Sequence, residues 1–156
     1  MMPLGHIGIP LVPILMMKQE VLDKRFLFLV ALGGLLPDII DKPLGHLILP
    51  ENNGRIFGHA LLFALIVLTA ALAYRPMMPL SLGVSTHLLL DGIWFDPQGA
   101  LWPLMGHFRS TDYDIVNWLY AFTEPYTIAE ELFGLVVIAL VARKVFLGSG
   151  SSKTSV

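Results

Sequence analysis

The histidines and a few aspartates are the side chains of this 156-residue sequence with the means to do chemistry. His87 and Asp91 stand four positions apart in STHLLLDGI, so on a helix they share one face and can grip a single ion. Asp91 is surrounded by Leu88, Leu89, Leu90, Ile93, Trp94 and Phe95, where a carboxylate must be paired, protonated or metal-bound. Asp38 and Asp41 follow Pro37, His59 stands near the start of an apolar run, and His6 lies in an apolar N-terminal segment. Cysteine is absent, so a metal has only imidazoles and carboxylates to hold it. A mixed His/Asp set suits Zn²⁺, Mn²⁺ or Fe²⁺ better than oxygen-seeking Ca²⁺ or Mg²⁺, although its carboxylates also admit Mg²⁺. The expected cofactor is a divalent metal ion, zinc first, then manganese or magnesium. No Gly-x-Ser-x-Gly elbow or phosphate-binding Gly-rich loop is present, and Ser85 at i, i+2 from His87 faces away from it on a helix.

The elements that must position these groups read as membrane segments. Hydrophobic residues make up 55% of the chain and charged ones 14%, against about 25% charged in a soluble domain; mean hydropathy is +0.71. A net charge of −2 gives no basic footprint, so nucleic acid is not an expected partner. The first seventeen residues carry no charge, unlike a secretory signal, and Pro10 and Pro13 predict a kinked or re-entrant segment that is retained. Further apolar runs cover 26–36, ending before Pro37, then 56–74, 77–95 and 128–147. The expected fold is all-α: a polytopic membrane helical bundle of about four to five membrane segments. One membrane-embedded domain would cover 1–147, and a Gly/Ser-rich tail over 148–156 reads as disordered. Oligomeric state is left open.

Lys18, Lys24, Arg25, Arg75, Arg143, Lys144 and Lys153 would fall on one side of such a bundle, and Lys42, Arg55 and Arg109 on the other. Seven against three puts the first side in the cytoplasm, with the N-terminus outside and the C-terminus inside. His6, Asp38, Asp41, His59, His87 and Asp91 then all land at the outer side, although orientation was fixed by Lys/Arg and spans by hydropathy alone.

The segments GGLLPDIID (33–41), GRIFGHALL (54–62), STHLLLDGI (85–93) and LWP (101–103) resemble, in order, the YdjM-type family of LexA-binding, inner-membrane-associated proteins assigned as metal-dependent hydrolases. That resemblance implies an inner-membrane location, a bound metal and hydrolysis. By motif it gives the metal role to Asp38, His59, His87 and Asp91, with His6 matching an N-terminal histidine. The ordered set is also similar to part of the zinc-dependent phospholipase C and P1 nuclease cluster. After Asp91, however, only His107 remains and no His-x-x-x-Glu follows, which argues against a trinuclear site. Gly54 and Ala60 depart from the His-Arg-x-x-x-His-Ser pattern of the family.

The expected mechanism is hydrolysis by metal-activated water. Asp41 would serve as general base or as the partner orienting a ligand histidine. Arg55 and Arg109 would offer guanidinium forks to a phosphoester such as a lipid head group or lipid-linked phosphate. Two rivals are a non-catalytic membrane protein whose polar or metal cluster stabilises a regulatory or partner-binding subunit, and a small transporter relaying ions through Asp38 and Asp91. His46 and His107 read as loop residues. Trp94, Trp102, Trp118 and Tyr120 read as interfacial anchors, and Glu130 and Glu131 as the first turn of the last helix.

Overall fold

The computed structural model describes residues 3–17, 23–49, 51–111, 116, 119–120 and 123–148, and among these there are helices and turns but no strand. The N-terminal segment is broken where its prolines require it. Helix α1 (Pro3–Gly8) passes through a 3₁₀ turn, Ile9–Leu11, into α2 (Val12–Met16). Helix α3 (Lys24–Pro43) opens on Asp23, whose side chain accepts the Arg25 N–H at 3.2 Å, and widens into a π turn, Leu44–Ile48.

Pro37 does not end α3, contrary to expectation, so Asp38 lies inside the helix rather than at its mouth. The proline ring crowds only the Gly33 carbonyl one turn earlier, and Pro37 itself is fully buried against Gly58. That packing offsets the lost hydrogen bond.

The next two helices are shorter than their apolar runs. After a 3₁₀ turn, Phe57–His59, helix α4 covers Leu61–Ala73, and α5 covers Met78–Leu90. At 13 residues each, they extend about 20 Å, less than the roughly 30 Å of a hydrocarbon core. Residues 56–59 are lost to α4 because their N–H groups turn toward Asp41. Helix α5 stops because Gly92 takes a left-handed conformation, φ +65°, which leaves Asp91 at its C-cap. A turn, Ile93–Phe95, and the short α6 (Pro97–Ala100) follow. Helix α7 (Pro125–Gly148) contains the one candidate membrane span among the described residues, Pro125–Val145. Of the expected bundle of four to five membrane segments, the all-helical fold is present, and one helix among the described residues is long and apolar enough to cross. The tail from 149 lies outside the described residues, as does Trp118.

Two apolar cores hold the helices. Leu11, Ile14 and Val30 pack on Val137, Val141 and Val145 of α7; Phe63 and Val67 of α4 pack on Leu80, Val84 and Leu88 of α5. Helices α3 and α5 meet at Gly33 and Gly83, where a Cβ on Gly83 would collide with the Val30 carbonyl. Helix α7 fastens both ends of the N-terminal segment. Glu131 accepts the Leu4 and Gly5 N–H groups at 3.2 and 2.8 Å, and Lys144 donates to the carbonyls of Ile14, Leu15 and Met17. Since α7 begins at Pro125, Glu131 caps a neighbouring helix in its second turn instead of marking the first turn of its own. Outward faces stay apolar, with Leu65, Leu72, Phe133 and Val136 all exposed, as in a protein whose surroundings are lipid.

Candidate metal centre

Asp41, fully buried in α3, organises the site. Its Oδ1 accepts the Gly58 N–H at 2.7 Å, and its Oδ2 accepts the N–H groups of Ile56 at 2.8 Å and His59 at 3.0 Å. The same Oδ2 takes the Nδ1–H of His59 at 2.7 Å. Three donors thus converge on Oδ2 and one on Oδ1. Of its two expected roles, the geometry suits the orienting partner, because the oxygen that meets His59 is fully engaged and Oδ1 is buried against Gly58.

His87, buried on α5, is oriented independently. Its Nδ1–H donates to the Gly34 carbonyl at 2.7 Å, in the turn of α3 just ahead of Pro37. A carbonyl and a carboxylate can only accept, so both Nδ1 atoms carry a proton, and in the neutral form of each ring Nε2 carries the lone pair. Those two Nε2 atoms face each other at 3.1 Å. Opposed lone pairs at that distance require a proton or a cation to join them.

Asp91 completes the group. Its Oδ2 lies 3.4 Å from His59 Nε2 and 4.0 Å from His87 Nε2, and is paired with Arg55 Nη2 at 2.9 Å. The i, i+4 relation of His87 and Asp91 does place both on one face. His6, held by α1, stacks on His87 with ring centroids 3.9 Å apart. Its Nε2 is 3.1 Å from Asp91 Oδ1, close enough for an ion pair but not aligned as a hydrogen bond, so both buried ring nitrogens lack a hydrogen-bond partner. Asp38 Oδ1 sits 3.7 Å from His59 Nε2, while Oδ2 pairs with Lys42 at 2.7 Å. Two sets of ligand atoms, His59/His87/Asp91 and His6/Asp38/His87, each lie within 4.8 Å of one another. The donor set fits a divalent cation, since orphaned imidazole nitrogens, opposed lone pairs and carboxylate oxygens converge from α1, α3, α5 and the turn before α4.

The five expected metal ligands are therefore brought together, with Arg55 beside them. Arg109 is not. It is exposed, its Nε donates to Gln98 at 2.9 Å, and its carbonyl accepts from Asn53 at 2.9 Å. Gln98 also donates to the carbonyl of His107, which keeps that residue in the same outer loop. His46 bonds Asn52 at 3.0 Å, away from the cluster. Of the expected anchors, Trp94 and Tyr120 are exposed, whereas Trp102 stacks on Phe108 with centroids 5.1 Å apart.

A cavity of about 20 Å³ adjoins the cluster, lined by Arg55, His59, Leu88, Asp91, Ile93 and Asp96 among others. That volume holds one water molecule. Asp96 was not a sequence candidate, because an aspartate before Pro97 reads as an ordinary helix cap. Lys24 and Asp38, fourteen residues apart on α3, are separated by about 21 Å; Arg25 and Arg75 border a common cleft at the Lys24 end. Arg25 and Arg75 thus lie at the end of the bundle remote from the His/Asp cluster, while Lys42 and Arg55 sit beside it.

No curated protein and no solved structure matches the chain. An apolar helical body with a buried His/Asp cluster at one end agrees with what one family comparison finds over residues 1–151: the chain belongs to the YdjM inner membrane protein family.

Proposed function

We propose that the protein is a membrane-bound metal-dependent hydrolase acting on a phosphoester. His59, His87 and Asp91 would hold the ion, with His6 and Asp38 on its flanks. The observation that carries this reading is the pair of opposed Nε2 atoms, 3.1 Å apart, each locked as an acceptor by a partner on its Nδ1. A bound zinc ion, the first choice, supplies an activated water and charge stabilisation for a phosphoryl group. The chain does the positioning: Asp41 fixes the His59 tautomer, the Gly34 carbonyl fixes that of His87, and half-exposed Arg55 reaches from Asp91 to the cavity as a donor for phosphate oxygens. The Lys/Arg count, with Lys24, Arg25 and Arg75 at the end of the bundle remote from the cluster, supports a site at the non-cytoplasmic face, with the N-terminus outside and the C-terminus in the cytoplasm. A lipid head group or lipid-linked phosphate would reach it there from the bilayer.

A second reading, a cluster that only stabilises a regulatory or partner-binding subunit, is favoured by one observation: the cavity holds a water but not an ester. One experiment separates the two. Detergent-purified protein is loaded with zinc, its metal content measured, and hydrolysis followed on bis(4-nitrophenyl) phosphate and on phosphatidylglycerol vesicles. The hydrolase reading expects about one or two ions per chain and turnover, with at least tenfold weaker zinc affinity in His87→Ala and Asp91→Asn. Bound zinc without turnover on either ester supports the structural cluster instead, and absence of zinc ends both metal readings.

A further inference from the structure

Asp96, outside the expected ligands, brings a further unpartnered group to the site. It precedes Pro97 at the start of α6, an ideal capping position, yet its side chain makes no capping hydrogen bond. Its Oδ2 turns over Gly99, where a Cβ would come within 2.5 Å of it, and its Oδ1 is buried with no hydrogen-bond partner. Asp96 lines the one-water cavity together with Arg55, His59 and Asp91. Among the described residues it belongs to neither set of ligand atoms that lie within 4.8 Å of one another. A buried carboxylate oxygen without a partner needs a donor, and a cavity of this size offers one water.

Resting on the hydrolase reading above, we propose that Asp96 is a catalytic residue that holds the hydrolytic water across the cavity from His59 and Asp91 and accepts its proton. The water oxygen forms the new bond to phosphorus as the ester oxygen leaves with the electron pair of the broken P–O bond. One water proton passes to Asp96 Oδ1 and then to the departing ester oxygen. The alcohol and the phosphate product are released, and Asp96 is again ionised. Such a base contributes about 10²–10⁴-fold. It acts from outside the metal set, so its removal separates catalysis from metal binding, which removal of Asp91 cannot do.

The test compares wild type, Asp96→Asn and Asp96→Glu, each zinc-loaded in detergent, with bis(4-nitrophenyl) phosphate and phosphatidylglycerol vesicles as substrates. Asp96→Asn is expected to keep wild-type zinc content and KM within about twofold while kcat falls about 100-fold or more, and Asp96→Glu to recover part of that loss. A structure of the zinc-loaded wild type is expected to show a water within hydrogen-bond distance of Asp96 Oδ1. Zinc lost from Asp96→Asn, a kcat close to wild type in that variant, or a dry cavity each overturns the role of Asp96 and leaves the hydrolase reading standing. Wild-type protein that turns over neither ester overturns the reading itself, and this proposal with it.

Discussion

Replacing Asp41 with Asn removes one charge and turns one acceptor into a donor at the point where the site is anchored. In its less costly rotamer the amide oxygen keeps the three donors now on Oδ2, and its NH₂ confronts the Gly58 N–H that Oδ1 accepts at 2.7 Å. One buried N–H is left unsatisfied, at about 1–3 kcal/mol, and the three retained bonds lose the charge that roughly doubles their strength. The opposite rotamer abandons three donors and costs more. Together these effects come to about 3–5 kcal/mol of stability. Loosening the His59 tautomer should also weaken zinc binding by about 10–100-fold. Helical circular dichroism through a sodium dodecyl sulfate titration in detergent micelles reads the first effect, and competition with a chromogenic chelator reads the second. For the stability readout alone, Asp38→Asn is the control, because its Oδ2 partner Lys42 is partly exposed and the pair should be worth no more than about 1 kcal/mol. If Asp41→Asn denatures and binds zinc like wild type, the claim that Asp41 builds the site is wrong.

Gly83→Ala should part α3 from α5, because the new methyl meets backbone of Val30, Gly33 and Gly34 rather than movable side chains. The expected loss is about 3 kcal/mol, with zinc affinity falling as His87 leaves the Gly34 carbonyl; an unchanged denaturation midpoint would show that the interface yields. The two guanidinium groups should behave differently. Arg55→Ala is expected to raise KM for a phosphoester about tenfold or more, while Arg109→Ala, held at Gln98 away from the cavity, stays within about twofold of wild type. Equal effects of the two would contradict the placement of Arg55 at the cavity.

The gathering of His6, Asp38, His59, His87 and Asp91 was legible in the sequence because ionisable side chains in apolar segments have few stable places to go except toward one another. Lys/Arg bookkeeping placed them at one end for the same electrostatic reason. What hydropathy could not reveal was where helices stop. The run from Ile56 is apolar, but Asp41 draws its first N–H groups out of helical bonding, and the run through Phe95 breaks at Gly92 for a backbone reason. Pro37 misled in the other direction, since tertiary packing absorbed a local penalty. Arg109 was grouped with Arg55 on charge type alone, and a partner eleven residues away, Gln98, decides its position. Asp96 drew no functional reading because an aspartate before Pro97 looks like a helix cap, and Glu131 read only as a first-turn acid of its own helix; the structure gives each another place.

The double fastening of the N-terminal segment to α7 has a consequence during synthesis. Residues 3–16 leave the ribosome well before α7, and Glu131 and Lys144, which fix the two ends of that segment, lie 126–130 positions downstream. At 5–20 residues per second the interval is roughly 6–25 s. Through it the His6 imidazole has no anchored helix to carry it, while α3, α4 and α5 are already emerging. Helix α7, made after α1 to α6, is thus the one that delivers His6 to its neighbours, and a chain cut short before Pro125 would hold Asp38, His59, His87 and Asp91 but lack both fastenings that seat His6.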